Sequence, residues 1–329
     1  MQISILKPGL LSTLQDIGRQ HYRSQAVPVS GAMDALSARI ANMAAGNKQG
    51  AAVIEFTYAN AAFRAETDLL LAYAGDGAFL KADNGTVPAE RPVFLPAGTV
   101  VTLIPNPAGC RTYVAVSGGW DVPVVLGSRS TYLTAGLGGL QGRALQAGDR
   151  LGSAAQHNPD ITCLFNLFKG TEVRYPHWNL ARQLLLPAGR KTIRAVPAHE
   201  FTWFGSRSIV DFVTRPFTLT SQSNRMGYQL QGEKMERKIG TELLSTAVTP
   251  GTIQVTNNGD LVLLMADCQT TGGYPRIAQV AAVDMPLCGQ LKPGDAINFT
   301  EISMQEAERL YIDHEQQLRK LQIAVNSRF

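Results

Sequence analysis

Apolar and polar positions along the chain change period twice. Near the start, Ile3–Leu6 is a short apolar run ended by Lys7-Pro8-Gly9. Met33, Leu36, Ile40, Met43 and Ala44 then recur at helical spacing, with Gly46-Asn47 as a stop signal. Ser30 is expected to cap that helix, and Asp34 suits its first turn. From Val53 onward the period shortens. The runs IEF, LLLAYA, VFL, VVTLI and TYVAV are separated by Gly, Pro, Asn and Asp, which is the pattern of closely spaced β-strands. The chain has no repeated strand–helix–strand units, which argues against a dinucleotide-binding sheet. A second such region centres on Leu261–Ala282. There the apolar run Leu261–Met265 and the run from Ile277 to Ala282 flank a polar loop. After Phe299, the Ser303-x-x-Glu306 capping box opens a C-terminal helix with an apolar stripe of Ala307, Leu310, Tyr311, Leu318 and Leu321.

The turns repeat in order. Gly98 and Gly251 each precede a strand, Gly119 and Gly273 each follow one, and Gly148-Asp149 and Gly294-Asp295 each precede one. The offset is about 150 residues in every case. A duplicated β unit is expected, with Gly98 and Gly251 supplying the positive φ of a tight turn. The chain is thus expected to be mainly β with a few helices. Two β domains span 1–152 and 196–302, a linker or insertion spans 153–195, and a terminal helix spans 303–329.

Composition narrows the function. Apolar residues make up 45% of the 329 and charged residues 17%, enough for a sizeable core. A net charge of +4 with no Lys/Arg cluster gives no footprint for nucleic acid. The N-terminus lacks the pattern of a secretory signal, and no run approaches the roughly 18 apolar residues of a membrane helix. The four cysteines lie far apart, with no Cys-x-x-Cys and no His at ligand spacing. This points to a cytoplasmic protein and to no metal site.

Candidate chemistry lies in four polar stretches. Gly127-Ser-Arg-Ser-Thr131 offers hydroxyls and a cation to an anion. Gly136 to Arg143 is glycine-rich but is neither a P-loop nor a dinucleotide fingerprint. Arg225, within Ser221 to Tyr228, reads either as a carboxylate clamp or as an arginine tied into a turn by carbonyls. The loop Asp267-Cys-Gln-Thr-Thr-Gly-Gly-Tyr-Pro275 carries an acid, amide, hydroxyls and two glycines that let backbone N–H groups face a ligand. No Ser/His/Asp nucleophile arrangement stands out. Cys268 reads as a buried thiol, and Asp267, Asp34 and Glu55 are the acid–base candidates.

Together, Thr13-Leu-Gln-Asp16-Ile-Gly18-Arg19, Ser30-Gly-Ala-Met-Asp34, Arg39-Ile-Ala-Asn42, Ser117-Gly-Gly119, Asp121-Val-Pro123, Gly127-Ser-Arg-Ser-Thr131, Gly138-Gly139 to Arg143, Ser223-Asn-Arg-Met-Gly-Tyr228 and Gln269-Thr-Thr-Gly-Gly-Tyr-Pro275 resemble the family of the C subunit of bacterial 5-oxoprolinase. That family also takes in an antagonist of a sporulation-kinase inhibitor and part of the carboxyltransferase domains of urea carboxylases. The resemblance runs from about Ile3 to Ala307. It departs at Val196-Pro197-Ala198-His199, where the family has Pro-Gly-Pro, and at Cys268, a position often held by Arg.

The resemblance implies tandem cyclophilin-like β-barrels, assembly with the A and B subunits of 5-oxoprolinase, and ATP-driven opening of 5-oxoproline to glutamate. ATP would be shared among the subunits, and the chain would be inactive alone. On this reading Arg225, Asp267, Gln269 and Thr270 are expected as catalytic residues. Thr271, Gly272, Gly273, Tyr274, Ser128, Arg129, Ser130, Ser30 and Asp34 would bind substrate or phosphate. Two alternatives remain: a regulatory module that grips a kinase inhibitor resembling the B subunit, and the carboxyltransferase half of a urea carboxylase-like system.

Overall fold

The computed structural model describes residues 1–82, 85–154, 159–186, 191–240 and 243–329. The chain divides into two compact units. The first holds Met1–Gly18, Asp34–Leu186 and Gln317–Phe329, and the second holds Arg19–Met33 and Pro187–Gln316.

The first unit contains β1 (Gln2–Pro8), β2 (Leu11–Gln15), α1 (Ala35–Ala44), β3 (Val53–Thr57), β4 (Ala61–Ala65), β5 (Leu69–Gly75), β6 (Ala78–Ala82), β7 (Gly85–Val87), β8 (Val93–Leu95), β9 (Val100–Pro105), β10 (Arg111–Val116), β11 (Arg150–Gly152) and α2 (Pro159–Phe168). Its strands form two sheets, ordered β11-β1-β4-β9-β6-β7 and β2-β3-β10-β5-β8. Ile3, Phe63, Leu80 and Leu103 of the first sheet share a core with Ile54, Leu71, Val93 and Val114 of the second. Strand patterning follows coverage. β4 and β6 alternate buried and exposed positions because one face is solvated. β5 and β10 are buried on both faces because α1 lies across them, which accounts for the unbroken runs LLLAYA and TYVAV. α2 packs Ile161 and Leu164 on Leu70 and Phe94, so this part of the expected linker is ordered structure of the first unit. Positions 155–158 and 187–190 of that linker lie outside the described residues.

The second unit is a closed barrel of β12 (Thr192–Pro197), β13 (Phe217–Leu219), β14 (Gly227–Gln231), β16 (Thr252–Val255), β17 (Leu261–Leu264), β19 (Arg276–Val280) and β20 (Ala296–Glu301). The ring runs β12-β19-β16-β17-β14-β13-β20 and closes through the parallel pair β12–β20. Closure leaves no free strand edge. A small ribbon, β15 (Thr246–Ala247) with β18 (Thr271–Gly272), stands outside it. α3 (Ser206–Thr214) plugs the barrel with Phe212, stacked on Phe299 at 4.8 Å between ring centres. α4 (Met285–Gly289) follows β19, and α5 (Met304–Asn326) ends the chain.

A mainly β chain with a few helices and β-barrel architecture is therefore what the sequence folds into. The duplication is visible in the turns. Gly98 and Gly251 both have φ of 88°, and each donates its N–H to a carbonyl at a strand end, Ala65 and Leu264. Gly148 and Gly294 both have φ of 91°, and each is followed by an Asp whose carboxylate accepts the N–H three residues back, Gln146 or Lys292. The third pair does not match: Gly119 has φ of 74°, while Gly273 is not left-handed.

Two details differ from expectation. Asp34, not Ser30, caps α1, accepting from Ser37 N at 2.9 Å, because the chain turns helical only at Ala35. Ser30 instead sits at φ of 56°. The stripe on α5 is only partly used: Leu318 is buried, while Tyr311 is 50% exposed. Removing the Phe299 ring should cost about 3–5 kcal/mol, since Phe212 and Phe217 both lean on it. Denaturant unfolding of Phe299→Ala measures this, and a loss below about 1 kcal/mol would show that the barrel core is not organised around that ring.

Candidate functional site

In the second unit, the candidate site is built on an arginine that needs acceptors. Arg225 leaves the turn before β14, and its side chain is buried. Its Nε donates to Asp267 Oδ2 at 2.8 Å, and Nη2 donates to Asp267 Oδ1 at 3.1 Å and to the Gly31 carbonyl at 2.7 Å. The main chain repeats the link, with Asp267 N donating to Arg225 O and Ser30 N to Ala266 O. Both readings of Arg225 thus meet in one residue. It clamps a carboxylate, that of Asp267, and it is tied to a backbone carbonyl. A ligand carboxylate would have to displace Asp267 from a buried pair.

Beyond Asp267 the chain emerges. Gln269, Thr271, Gly273 and Tyr274 are exposed, and Thr270 and Gly272 half-buried. Thr271–Gly272 pairs with Thr246–Ala247, and the Thr270 carbonyl accepts from Val248 N. Gln254 props the loop from below by donating to the Tyr274 carbonyl at 3.1 Å. A Cβ at Gly272 would lie 2.6 Å from that amide, so glycine is needed there for the loop to lie on Gln254. Cys268 is buried against Val248 and Leu264, and burial pushes its thiol up to about 12. A neutral buried thiol is a poor nucleophile.

One further cluster was not legible beforehand. Arg276 donates Nε and Nη2 to the two oxygens of Glu200, both at 2.6 Å, and Nη1 to the Ala247 carbonyl at 3.2 Å. Burial would raise the Glu200 carboxyl, but the Arg276 hydrogen bonds outweigh it and hold it below the usual range. Nothing in the sequence marked Glu200, which lies 76 positions away.

In the first unit, the Gly127–Thr131 stretch does hold an anion, and it is internal. Asp16 Oδ1 accepts from Ser128 Oγ and Ser130 Oγ, both at 2.6 Å, and from Gly18 N at 2.8 Å. Its Oδ2 accepts from Arg129 N at 2.6 Å. The donors expected to receive phosphate are therefore engaged by Asp16, while the Arg129 side chain donates to the Val122 carbonyl. The Gly136–Arg143 loop is closed as well: Cβ atoms at Gly139 and Gly142 would lie 2.0 Å from Thr131 Oγ1 and 1.9 Å from Gly136 O.

Asp34 is fully buried at the head of α1, where its N–H donates to the Tyr113 hydroxyl, which in turn donates to Glu55 Oε2 at 2.8 Å. Burial, with Glu55 and Asp34 adding to it, drives the Tyr113 hydroxyl well above its ordinary value, so it stays a donor. Arg182 reaches this neighbourhood. It pairs with Asp76 and Glu90 and approaches Ser37 Oγ at 3.4 Å. Among the described residues, no group of three or more His, Cys, Asp or Glu could hold a metal ion, and no helix is long and apolar enough to cross a membrane.

A closed β-barrel unit and a two-sheet β unit, with these polar loops, have known counterparts. The family described as "Carboxyltransferase domain, subdomain A and B" matches residues 25–301. The chain is 37% identical to the C subunit of 5-oxoprolinase from Escherichia coli over 321 residues, 97% of each chain. It is 34% identical to the Haemophilus influenzae protein of the same name over 308 residues, 94% of each. Among solved structures, the urea carboxylase of Kluyveromyces lactis superimposes with a TM-score of 0.86 at 26% identity, and the urea amidolyase of K. lactis with 0.85 at 27%. Both cover 97% of this chain, which spans 29% of the first structure's length and 20% of the second's. The chain belongs to the carboxyltransferase-domain family, in the branch that holds the C subunit of 5-oxoprolinase.

Two outcomes test this geometry. Arg225→Ala strands Asp267 as a buried charge and should cost about 3–5 kcal/mol, whereas the double variant Arg225→Met/Asp267→Leu should recover much of that loss. Equal melting temperatures for Arg225→Ala and the parent chain would refute the pairing. Of the four cysteines only Cys163 is exposed. Titration of the native protein with a thiol reagent at mildly alkaline pH should therefore find one fast thiol, absent in Cys163→Ser, with Cys268 reacting only on unfolding.

Proposed function

We propose that this chain is the C subunit of an ATP-dependent 5-oxoprolinase, working in the cytoplasm with the A and B subunits and inactive alone. The observation that carries this reading is the match to the E. coli C subunit of 5-oxoprolinase, which covers 97% of both chains.

The reaction consumes 5-oxo-L-proline, ATP and water and yields L-glutamate, ADP and phosphate. A lactam carbonyl is a poor electrophile. Transfer of the γ-phosphoryl group to its oxygen activates the carbon. One water adds there and the ring C–N bond breaks as the nitrogen takes a proton, leaving an acyl phosphate, which a second water hydrolyses to the carboxylate and phosphate. Such chemistry rests on positioning and on fixed donors rather than on a covalent nucleophile. That suits a chain whose loop cysteine is neutral and buried.

Roles divide by exposure. Gln269, Thr270, Thr271 and Tyr274, with the backbone at Gly272 and Gly273, meet the lactam and the oxyanion that forms on it. Arg225 and Asp267 position that loop from beneath, and Ser30 supports them. Ser128, Arg129 and Ser130 shape the first unit's loop through Asp16, and Asp34 fixes α1. Asp16 engages the hydroxyls and the Arg129 N–H of the Ser128–Ser130 loop, and the Gly136–Arg143 turns are filled, so nucleotide binding is assigned to the partner subunits. A second reading, carboxyl transfer with a carrier supplied by another chain, draws on the carboxyltransferase-family match and the likeness to urea carboxylase.

Co-expression with the A and B subunits should give ATP-dependent glutamate release that requires this chain. Gln269→Ala and Thr271→Val, both at exposed positions, should each lower kcat/KM by about tenfold or more while the complex still assembles. Unchanged kinetics in both variants would remove the loop from the site. Bicarbonate-dependent carboxylation in place of glutamate release would favour the second reading.

A further inference from the structure

In the second unit, a cleft of about 590 Å³ opens between β12, β19 and the first turns of α5. Its size falls in the range of small-molecule sites. Val196 and Val280 form the barrel wall, Val248 just after β15 extends it, and Met304, Ala307 and Tyr311 form the helix wall. These three helix positions lie three and four residues apart, on one face. Only Ala307 and neighbouring Leu310 pack onto Ala281, Val283 and Ile302. Met304 and Tyr311 remain 62% and 50% exposed, so this stretch of apolar helix face is largely without protein cover.

The polar end of the cleft is Arg276. A guanidinium has five N–H donors. Three go to Glu200 and the Ala247 carbonyl, and two have no acceptor among the described residues. His199 lies beside it with Nδ1 on Glu200 and its ring 83% exposed. Thr252 and the Gln279 side chain satisfy each other at 2.8 Å, with Thr249 alongside. The one acid on the helix wall, Glu308, is exposed to solvent and screened there.

We infer that this cleft binds a small amphipathic carboxylate, its apolar body between barrel and α5 and its carboxylate on the spare donors of Arg276. The site is independent of the 5-oxoprolinase reading. It is built from residues outside the Gln269–Tyr274 loop and takes a ligand with an apolar tail.

Calorimetric titration of the full-length chain with hexanoate, hexanol and hexylamine tests this directly. Hexanoate should bind saturably and more tightly than the other two. Ala282 is exposed and lines the cleft, so Ala282→Trp should fill the space without disturbing the core and weaken hexanoate by about tenfold or more. Arg276→Gln alone would strand Glu200, so the double variant Glu200→Gln/Arg276→Gln is used for the head group. It should bring hexanoate and hexanol to equal affinity, with the melting temperature confirming a folded chain. Absence of saturable hexanoate binding, hexanol or hexylamine binding as tightly as hexanoate, or full affinity in Ala282→Trp would each overturn the inference.

Discussion

A guanidinium taken out of water must find acceptors for its donors, and much of the second unit is arranged around how Arg225 does so. Asp267 and the Gly31 carbonyl, both acceptors for it, come from segments far apart in sequence. To present that carbonyl, the chain runs through two consecutive left-handed residues, Ser30 at φ 56° and Gly31 at φ 90°. For serine this backbone costs on the order of 1–3 kcal/mol, and it persists only where its surroundings hold it. The Ser30 N–H bond to Ala266 and the Arg225 bond to Gly31 do so from either side. The Ser30–Gly31 turn, the turn before β14 and the start of the candidate loop are thereby tied together, and the residues after Asp267 project from that cross-linked base.

The first unit solves its polar loops by the same means, a carboxylate from the chain itself. Asp16 collects two hydroxyls and two backbone N–H groups, Asp34 caps α1, and Asp149 takes the Gln146 N–H together with Arg143. Such loops are ordered before any ligand arrives, which lowers the entropy lost on binding. They are also satisfied, which narrows the set of groups able to meet a ligand to those left outward, chiefly along Gln269–Tyr274.

Much of the architecture could be read from residue order. LLLAYA and TYVAV announced strands, and the Gly98/Gly251 and Gly148/Gly294 turns announced the duplication, because left-handed backbone favours glycine. The polar residues of the candidate loops could also be named in advance, but not their partners. A hydroxyl-rich loop looks the same whether its anion is a phosphate or Asp16, since the pairing is set by tertiary approach across 112 positions. Likewise, Ser30 matched a helix cap by composition, while the backbone placed the cap four residues later at Asp34. The Glu200–Arg276 pair carried no local signature at all.

The unit boundaries carry a consequence for dissecting the molecule. The chain leaves the first unit after Gly18, contributes Arg19–Met33 to the second, and returns at Asp34 before departing again after Leu186. No single scission can separate the two. A fragment starting in the connecting stretch would lack Met33 from its core and the Gly31 carbonyl from Arg225, and its partner fragment would carry the Arg19–Met33 segment with nothing to fold onto. Interlaced connectivity of this kind leaves Arg19–Met33, synthesised near the beginning, waiting for Pro187–Gln316 before it has anything to pack on.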